Sequence, residues 1–459
     1  MSNTIFVQIA SYRDPQLIPT LNDLIEKAKN PENIRVVVCW QHGDDESVEH
    51  FLDNGYTLDS VLGTHENHEF GRIRLNKNSA IVELLDIHYF DTQGACWARN
   101  TIQQYYDGEK YTLQLDSHHR FVDNWDVILI EMLEGLRYKS KKPLLTAYVP
   151  SFDPDNDPAA RVQHPWKMNF DRFIPEGAVF FIPATIDEWQ ELTEPVLARF
   201  YSAHFAFADG SFAEEVQHHP GYFFHSEESS ISARAFTHGY DLYHPHKVIC
   251  WHEYTRKNRV HVWDASEHSA ESKRNGKIKK HWVERNDECH KLNRILFGMD
   301  GEDPNQIDFG KYGFGTERSL RDYEIYAGIC FKKRAVTQET LDKVYPTLEY
   351  DTSISDEEFY SKLTRSNDIR ILVHLNELKV DDAIPDDFDF FYVGAHDADG
   401  NEIHRKDWVQ PDIDYYINET QEWIDKRFIF LANAIPDTYT IWPHSKSKGW
   451  LNKIVRKAD

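Results

Sequence analysis

Tyr111-Thr112-Leu113-Gln114-Leu115-Asp116-Ser117-His118 is the stretch on which the reading of this chain turns. An apolar run of strand type ends on a carboxylate, a one-residue spacer and an imidazole. Such an ending presents two metal-ligand types at the carboxyl edge of a sheet, where open α/β folds bind their ligands. The Asp-x-His spacing suits a divalent ion. A turn or a helix cap accounts for the tripeptide equally well, because Asp and Ser are common turn residues. The surrounding sequence has to decide.

Upstream, strand and helix signals alternate. Thr4 to Ala10 is a strand, and Pro15 opens a helix in which Leu17, Ile18, Leu21, Leu24, Ile25 and Ala28 keep a 3.6-residue period. Ile34 to Trp40 reads as a strand buried on both faces, the parallel-sheet type. Ala80 to Leu85 is apolar but of undecided type, and Gly94 to Tyr106 is a helix. After the strand ending at Asp116 come a helix over Val122 to Lys139 and a strand over Leu144 to Val149. This alternation predicts a sheet with helices on both faces. Farther on, strands are expected near 178–182, 204–207 and 247–250, a helix around Glu228 to Phe236, and one long charged helix from Ala270 to Phe297. Past an acidic, Pro- and Ser-containing stretch, short strands such as Ile369 to Leu375 and Phe388 to Val393 alternate with turns, the pattern of a small β-sandwich. Residues 1–335 are expected to form one domain, 336–365 a linker, and 366–459 a β-rich accessory domain.

Of the 459 residues 41% are hydrophobic and 14% aromatic, a composition able to fill real cores. The formal charge of −25 repels a phosphate backbone and excludes nucleic acid as a partner. Any nucleotide site must then import positive charge locally, from a metal ion or a few placed Arg residues. Five scattered Cys, odd in number and without a Cys-x-x-Cys pair, argue against a disulfide framework and for a reducing compartment. The opening strand lacks the regions of a signal peptide, and no run approaches the ~18 apolar residues of a membrane helix. A cytoplasmic protein without a membrane span is expected, with self-association left open. The basic tail Trp450 to Lys457 is expected to dock on the acidic body or a subunit, with membrane-surface contact the other reading.

Four segments carry chemistry. Ala10-Ser11-Tyr12-Arg13-Asp14-Pro15 turns from the first strand into the first helix and faces the ligand crevice of such folds. Tyr12 can stack on a base, and Arg13 and Asp14 can bond phosphate and ribose or base; as cap and first residue, Asp14 and Pro15 also have a purely helical explanation. Gly94 to Asn100 places Arg99 and Asn100 in the first turns of a helix, where an anion can be held. Asp116-Ser117-His118-His119-Arg120 forms the third segment. Cys250 to Arg256 is the fourth: His252 closes an apolar strand and precedes the cationic run Arg256 to Arg259, which can neutralise a leaving diphosphate. Glu227 and Glu228 begin a helix, where they either complement its dipole or meet substrate hydroxyls.

Together these segments resemble the cytoplasmic UDP-GlcNAc-dependent polypeptide N-acetylglucosaminyltransferases that modify hydroxyproline, and their bacterial relatives. Carrying the resemblance are Ile9 to Pro15, Gly94 to Arg99, Gly108 to Tyr111 running into Leu115-Asp116-Ser117-His118, Glu227-Glu228 with Ala233-Arg234, Thr237 to Leu242, and Gly313 to Ser319. They recur in order over about the first 335 residues. One departure is clear. The family usually has Gly before the paired Glu, whereas Ser226 stands here, preceded by His225.

The resemblance implies an α/β fold of GT-A type, a Rossmann-like nucleotide-sugar-binding domain followed here by the β-sandwich-like accessory domain. It implies Mn2+ or another divalent ion on Asp116, His118 and His252, and UDP-GlcNAc as donor near Ala10, Ser11, Tyr12, Arg13, Asp14, Arg99, Asn100, Ser117 and Arg256. Glu227 and Glu228 are the expected catalytic carboxylates. The expected reaction moves GlcNAc to a hydroxyl of a protein or glycan acceptor with retention, in α linkage. UDP-GalNAc or UDP-Glc is the alternative donor, and a non-catalytic sugar- or protein-binding module the alternative role.

Overall fold

The computed structural model of the protein describes residues 3–63, 70–255, 259–263, 266–420 and 422–458. The chain divides into two compact units. The first comprises Met1–Phe170, Phe181–Ala327 and Lys343–Thr352; the second comprises Asp171–Phe180, Gly328–Asp342 and Ser353–Asp459.

In the first unit the chain begins with β1 (Ile5–Tyr12), α1 (Leu17–Lys27) and β2 (Ile34–His42). A meander of β3 (Thr57–Leu62), β4 (Gly71–Lys77) and β5 (Ala80–His88) follows, then α2 (Ala95–Gln103), β6 (Tyr111–Asp116), β7 (His119–Phe121) and α3 (Trp125–Gly135). The remainder adds β8 (Pro143–Thr146), β9 (Ser151–Phe152), β10 (Val196–Leu197) and β11 (Phe205–Asp209). It ends with α4 (Glu227–Thr237), β12 (Asp241–His244), β13 (Cys250–Glu253) and α5 (Trp282–Phe297).

Ten strands form the central sheet in the order β10-β12-β8-β11-β6-β1-β2-β5-β4-β3. Its middle, β6-β1-β2-β5, is parallel, and β11 runs antiparallel between β6 and β8. The parallel strands read as continuous apolar runs because both faces are covered. On one face α1 packs Leu17, Leu21, Leu24 and Ile25, and α3 packs Trp125, Leu129 and Leu133, against Val7, Ile9, Val36 and Val38. On the other face Ala98 and Ile102 of α2 meet Phe6, Val37, Cys39 and Leu85. The expected α/β sheet with helices on both sides is therefore present, and the undecided apolar stretch is the parallel strand β5.

Two details position the site. Pairing of β1 with β6 sets Ala10 opposite Asp116, so the turn after β1 lies beside the Asp-Ser-His loop. A separate three-stranded sheet, β7-β13-β9, aligns His252 with His119 and with Ser151. The strand expected at 247–250 thus begins three residues later, because the bend at 246–247 after β12 occupies its forecast start. His252 lies within that strand instead of just beyond it.

The long helix expected over 270–297 is also corrected. A short helical segment, Ala270–Arg274, ends before Gly276, whose φ of +71° is left-handed. Lys277, Lys279 and Lys280 then crowd like charges ahead of α5. α5 starts afresh at a capping box between His281 and Glu284.

In the second unit β14 (Ile329–Cys330), β15 (Ala335–Thr337), β16 (Leu363–His374) and β18 (Trp423–Ala432) make one antiparallel sheet. The other contains β17 (Phe388–His396), β19 (Thr438–Ser445) and β20 (Ile454–Lys457). Ile369, Ile371, Val373, Phe428 and Phe430 from the first share a core with Phe391, Val393, Tyr439 and Ile441 from the second. This is a β-sandwich, as its alternating pattern foretold. The basic tail is its strand β20, with Arg456 3.0 Å from Glu377 and Lys457 2.8 Å from Asp437.

All five cysteines are buried. Among the described residues no helix is long and apolar enough to cross a membrane.

In the first unit Arg35 of β2 bridges two buried carboxylates, Glu83 at 2.7 Å and Glu109 at 2.6 Å. Arg72, 3.8 Å from Glu83, compensates little. Arg35→Ala strands both charges and is expected to cost about 3 kcal/mol. A fall in the urea midpoint followed by tryptophan fluorescence would register it; an unmoved midpoint would mean that water reaches the carboxylates.

Candidate metal and donor site

β6 delivers Asp116 to the carboxyl edge of the parallel strands, and α1 fixes the loop that follows. Thr20 of α1 donates its hydroxyl to the Ser117 carbonyl at 2.9 Å and accepts the His119 amide at 2.9 Å. That anchor turns His118 back over Asp116, while β13 brings His252 in beside it. Ligand atoms of Asp116, His118 and His252 all lie within 4.8 Å of one another. Oδ2 of Asp116 is 3.5 Å from Nε2 of His252 and 3.8 Å from Nε2 of His118.

The cluster has the chemistry of a cation site. His252 is buried, and neither of its ring nitrogens meets a hydrogen-bond partner at proper geometry. Buried polar atoms of that kind normally have a partner, and a bound ion would be one. Burial, reinforced by His118, pushes the His252 imidazole well below its usual range, which favours the neutral form that a metal ligand needs. Burial pushes the Asp116 carboxyl up, but His252 and Arg99 outweigh it and hold the group well below the usual carboxylate range. One anionic oxygen and two imidazoles suit a borderline divalent ion and leave coordination positions for phosphate oxygens.

Behind the ligands stands Asp14. Its Oδ2 accepts the Ser117 hydroxyl at 2.6 Å and lies 2.7 Å from Nδ1 of His118. A carboxylate on the far nitrogen of a ligating imidazole fixes its tautomer and ring orientation. Of the other residues expected at the donor, Ala10 and Ser11 close β1 beside Asp116. Tyr12 is edge-on to His268, with ring centroids 6.2 Å apart. Arg13, with a left-handed φ of 46°, sits over the Tyr89 ring at 4.8 Å and 3.6 Å from Glu267. Asn100 turns away, its amide donating to the His218 carbonyl at 2.8 Å and Tyr312 at 3.2 Å. Arg256 lies outside the described residues. Arg259, from the same cationic run, touches the His118 ring and pairs with Glu253 at 2.9 Å.

Imidazoles not singled out from the sequence complete the surroundings. The His204 ring stacks on His252 at 4.4 Å, and the His119 ring lies 4.9 Å from it. With 24 His in the chain, only pairing in three dimensions distinguishes these two.

Glu227 and Glu228 share a helix start but not an environment. Oε2 of Glu227 accepts from Arg99 and from the Cys96 thiol, each at 2.6 Å. Glu228 accepts the Tyr148 hydroxyl at 2.9 Å and the Ala203 amide at 3.1 Å. Burial raises the Glu228 carboxyl from 4.5 to about 8, against the pull of the Ala203 amide and with help from the charge of Glu227. Cys96, His218 and Glu227 form a second group with ligand atoms within 4.8 Å. Arg99 already occupies that carboxylate, and burial holds the Cys96 thiol protonated, so the group is a hydrogen-bonded network and not a cation site. Ser226, at the usual Gly position, has φ 77° and ψ −13°, a left-handed conformation that glycine adopts without penalty.

Residues 4–333 match a family model described as glycosyltransferase (GlcNAc). Among similar solved structures is GalNAc-T7 with UDP, GalNAc and Mn2+, 12% identical, covering 65% of this chain and 53% of that one with a TM-score of 0.40. S. aureus TarS is 10% identical, covering 99% of this chain and 85% of that one, with a TM-score of 0.36. A mannosyltransferase from Pyrobaculum calidifontis in complex with GDP-Man and Mn2+ is 11% identical over 56% of this chain and 58% of that one, TM-score 0.35. The chain spans about half the length of the GalNAc-T7 structure it matches. A search of curated proteins returns no match.

Two outcomes follow from the helix start. Because the folded Glu228 carboxyl is raised toward about 8, its contribution to stability is complete below pH 4.5 and drains away as pH climbs through 8. Glu228→Gln, permanently neutral, should gain in Tm over the parent protein as pH rises from about 5 to 8.5; a constant gap would show an ionised Glu228 throughout. Ser226→Gly should raise stability by about 1 kcal/mol by removing the left-handed penalty, read as a higher urea midpoint. A lower midpoint would mean that the Ser226 side chain contributes more than its backbone costs.

Proposed function

The chain belongs to the glycosyltransferase (GlcNAc) family, and on that premise we propose that it transfers GlcNAc from UDP-GlcNAc to a hydroxyl of a protein or glycan acceptor, in α linkage and with retention. The observation that carries this reading is the convergence of Asp116, His118 and His252 within 4.8 Å at the carboxyl edge of the parallel strands. Those three residues would hold Mn2+ or a similar ion. When bound, a divalent ion there neutralises the donor diphosphate and stabilises charge on the leaving group.

The chain's own residues supply the rest. Asp14, itself held by the Ser117 hydroxyl, fixes the His118 ring through Nδ1, with Nε2 3.8 Å from Oδ2 of Asp116 and 2.6 Å from Nη1 of Arg259. Ser11 and Tyr12 border the crevice in which the nucleoside is placed, and Arg13 adds local positive charge to an otherwise acidic protein. Arg259, in contact with the His118 ring, is close enough to the cluster to meet phosphate oxygens. Retention asks for no protein base, because the leaving phosphate can take the acceptor proton on the same face. Glu228, neutral at physiological pH and partly accessible, orients a sugar or acceptor hydroxyl.

The first unit is assigned the transfer chemistry and the second, whose sheet takes in 335–337 and 363–374, an accessory role. A cytoplasmic location accords with the scattered, odd-numbered cysteines.

UDP release measured across a panel of UDP-sugars with Mn2+ tests the proposal. UDP-GlcNAc should turn over fastest, and chelation with EDTA, Asp116→Ala or His252→Ala should each lower the rate at least about 100-fold. Faster release from UDP-GalNAc or UDP-Glc would reassign the donor. Undiminished turnover in Asp116→Ala would remove the metal-site assignment.

A further inference from the structure

Arg99 is shared between two carboxylates from distant parts of the chain. Its Nη2 donates to Oδ1 of Asp116 at 2.7 Å and its Nη1 to Oε2 of Glu227 at 2.6 Å. Oε2 of Glu227 also accepts from the Cys96 thiol at 2.6 Å, and Nδ1 of His218 lies 3.9 Å away. His218 is tied through Nε2 to Oε1 of Gln114 at 2.8 Å, two residues ahead of Asp116 on β6. Arg99 is 3% exposed and Glu227 6%. Oε2 of Glu227 is thus spent on a guanidinium and a thiol inside the protein.

We propose that Glu227 is a positioning residue that acts through Arg99 to set the orientation and charge of Asp116 for the divalent ion, and that it does not touch the sugar. The inference rests on the metal-site reading above and deepens it. With Oδ1 capped by Arg99, the Asp116 carboxylate cannot rotate and turns only Oδ2 toward His118 and His252. Capping with a full positive charge has a cost, since a guanidinium beside the site repels a dication. Glu227 offsets that charge from the far side of Arg99, where low polarity lets the effect reach the site. Both consequences of losing the Glu227 charge have one sign: attraction for the cation falls, and Arg99 is left uncompensated. The division of labour between the neighbouring carboxylates follows, Glu227 serving the metal ligand and Glu228 facing Tyr148 and Ala203.

The experiment measures Mn2+ binding by the full chain without nucleotide, from the EPR signal of free Mn2+. Glu227→Gln is near-isosteric and keeps an amide oxygen for Arg99. It should weaken Mn2+ binding about 10–100-fold, the range for partners that orient metal ligands, while UDP release from UDP-GlcNAc recovers to near the parent rate at saturating Mn2+. Arg99→Lys keeps the charge but loses the two-pronged reach, and it should weaken Mn2+ binding as well, which covers the case in which Glu227→Gln does not fold. Parent-like Mn2+ binding in either folded variant would overturn the proposal, as would Glu227→Gln turnover staying about 100-fold down at saturating Mn2+. Asp116→Ala runs alongside. If it too leaves Mn2+ binding unchanged, the metal-site reading has failed, and not merely the positioning role.

Discussion

A single buried carboxylate at a sheet edge, gripped by a guanidinium on one oxygen and facing two imidazoles with the other, is the constraint around which the first unit is arranged. Asp116 can stay ionised there only because Arg99 and His252 offset the cost of burial. Each partner in turn needs an anchor. Arg99 needs Glu227, His118 needs Asp14, and His252 needs the strand pairing that sets it against His119. The parallel sheet supplies the frame by putting the turn after β1 in register with the end of β6. Packing and electrostatics are therefore one problem at this edge: the helices that bury the sheet also carry the side chains that keep its charges balanced.

How much of this was legible in the sequence depends on how locally each feature is encoded. Strands buried on both faces announce themselves by unbroken apolar runs, as in Val36, Val37 and Val38, and the helix after Pro15 by its 3.6-residue period. The sandwich strands show their alternation openly. Asp116 and His118 were visible because they adjoin a strand end, and His252 because it sits beside the apolar run ending at Cys250. The break before α5 was hidden, since Lys-rich sequence continues the charged helical pattern and only Gly276 marks the interruption.

Partnerships across long separations left no local trace. The Arg99–Glu227 contact spans 128 residues and the Asp14–His118 contact 104, and neither has a spacing rule that could reveal it. Glu227 and Glu228 looked equivalent as two acids at a helix start. Their difference arises from what burial places opposite each: a guanidinium and a thiol for one, a phenol and an amide for the other. Ser226 was noticed as a missing Gly, but its left-handed backbone follows from the turn it must complete and not from its own identity.

The strand that carries His252 pairs with one that begins at His119, so the proposed cation cluster draws on segments more than 130 residues apart in the chain. A ribosome-bound chain that has exposed β6 and β7 but not yet β13 offers an aspartate and a histidine to solvent, a pair too sparse to hold an ion firmly. Competence thus arrives late in synthesis and all at once. On the proposed assignment, a nascent or truncated chain would lack the third ligand until β13 is made.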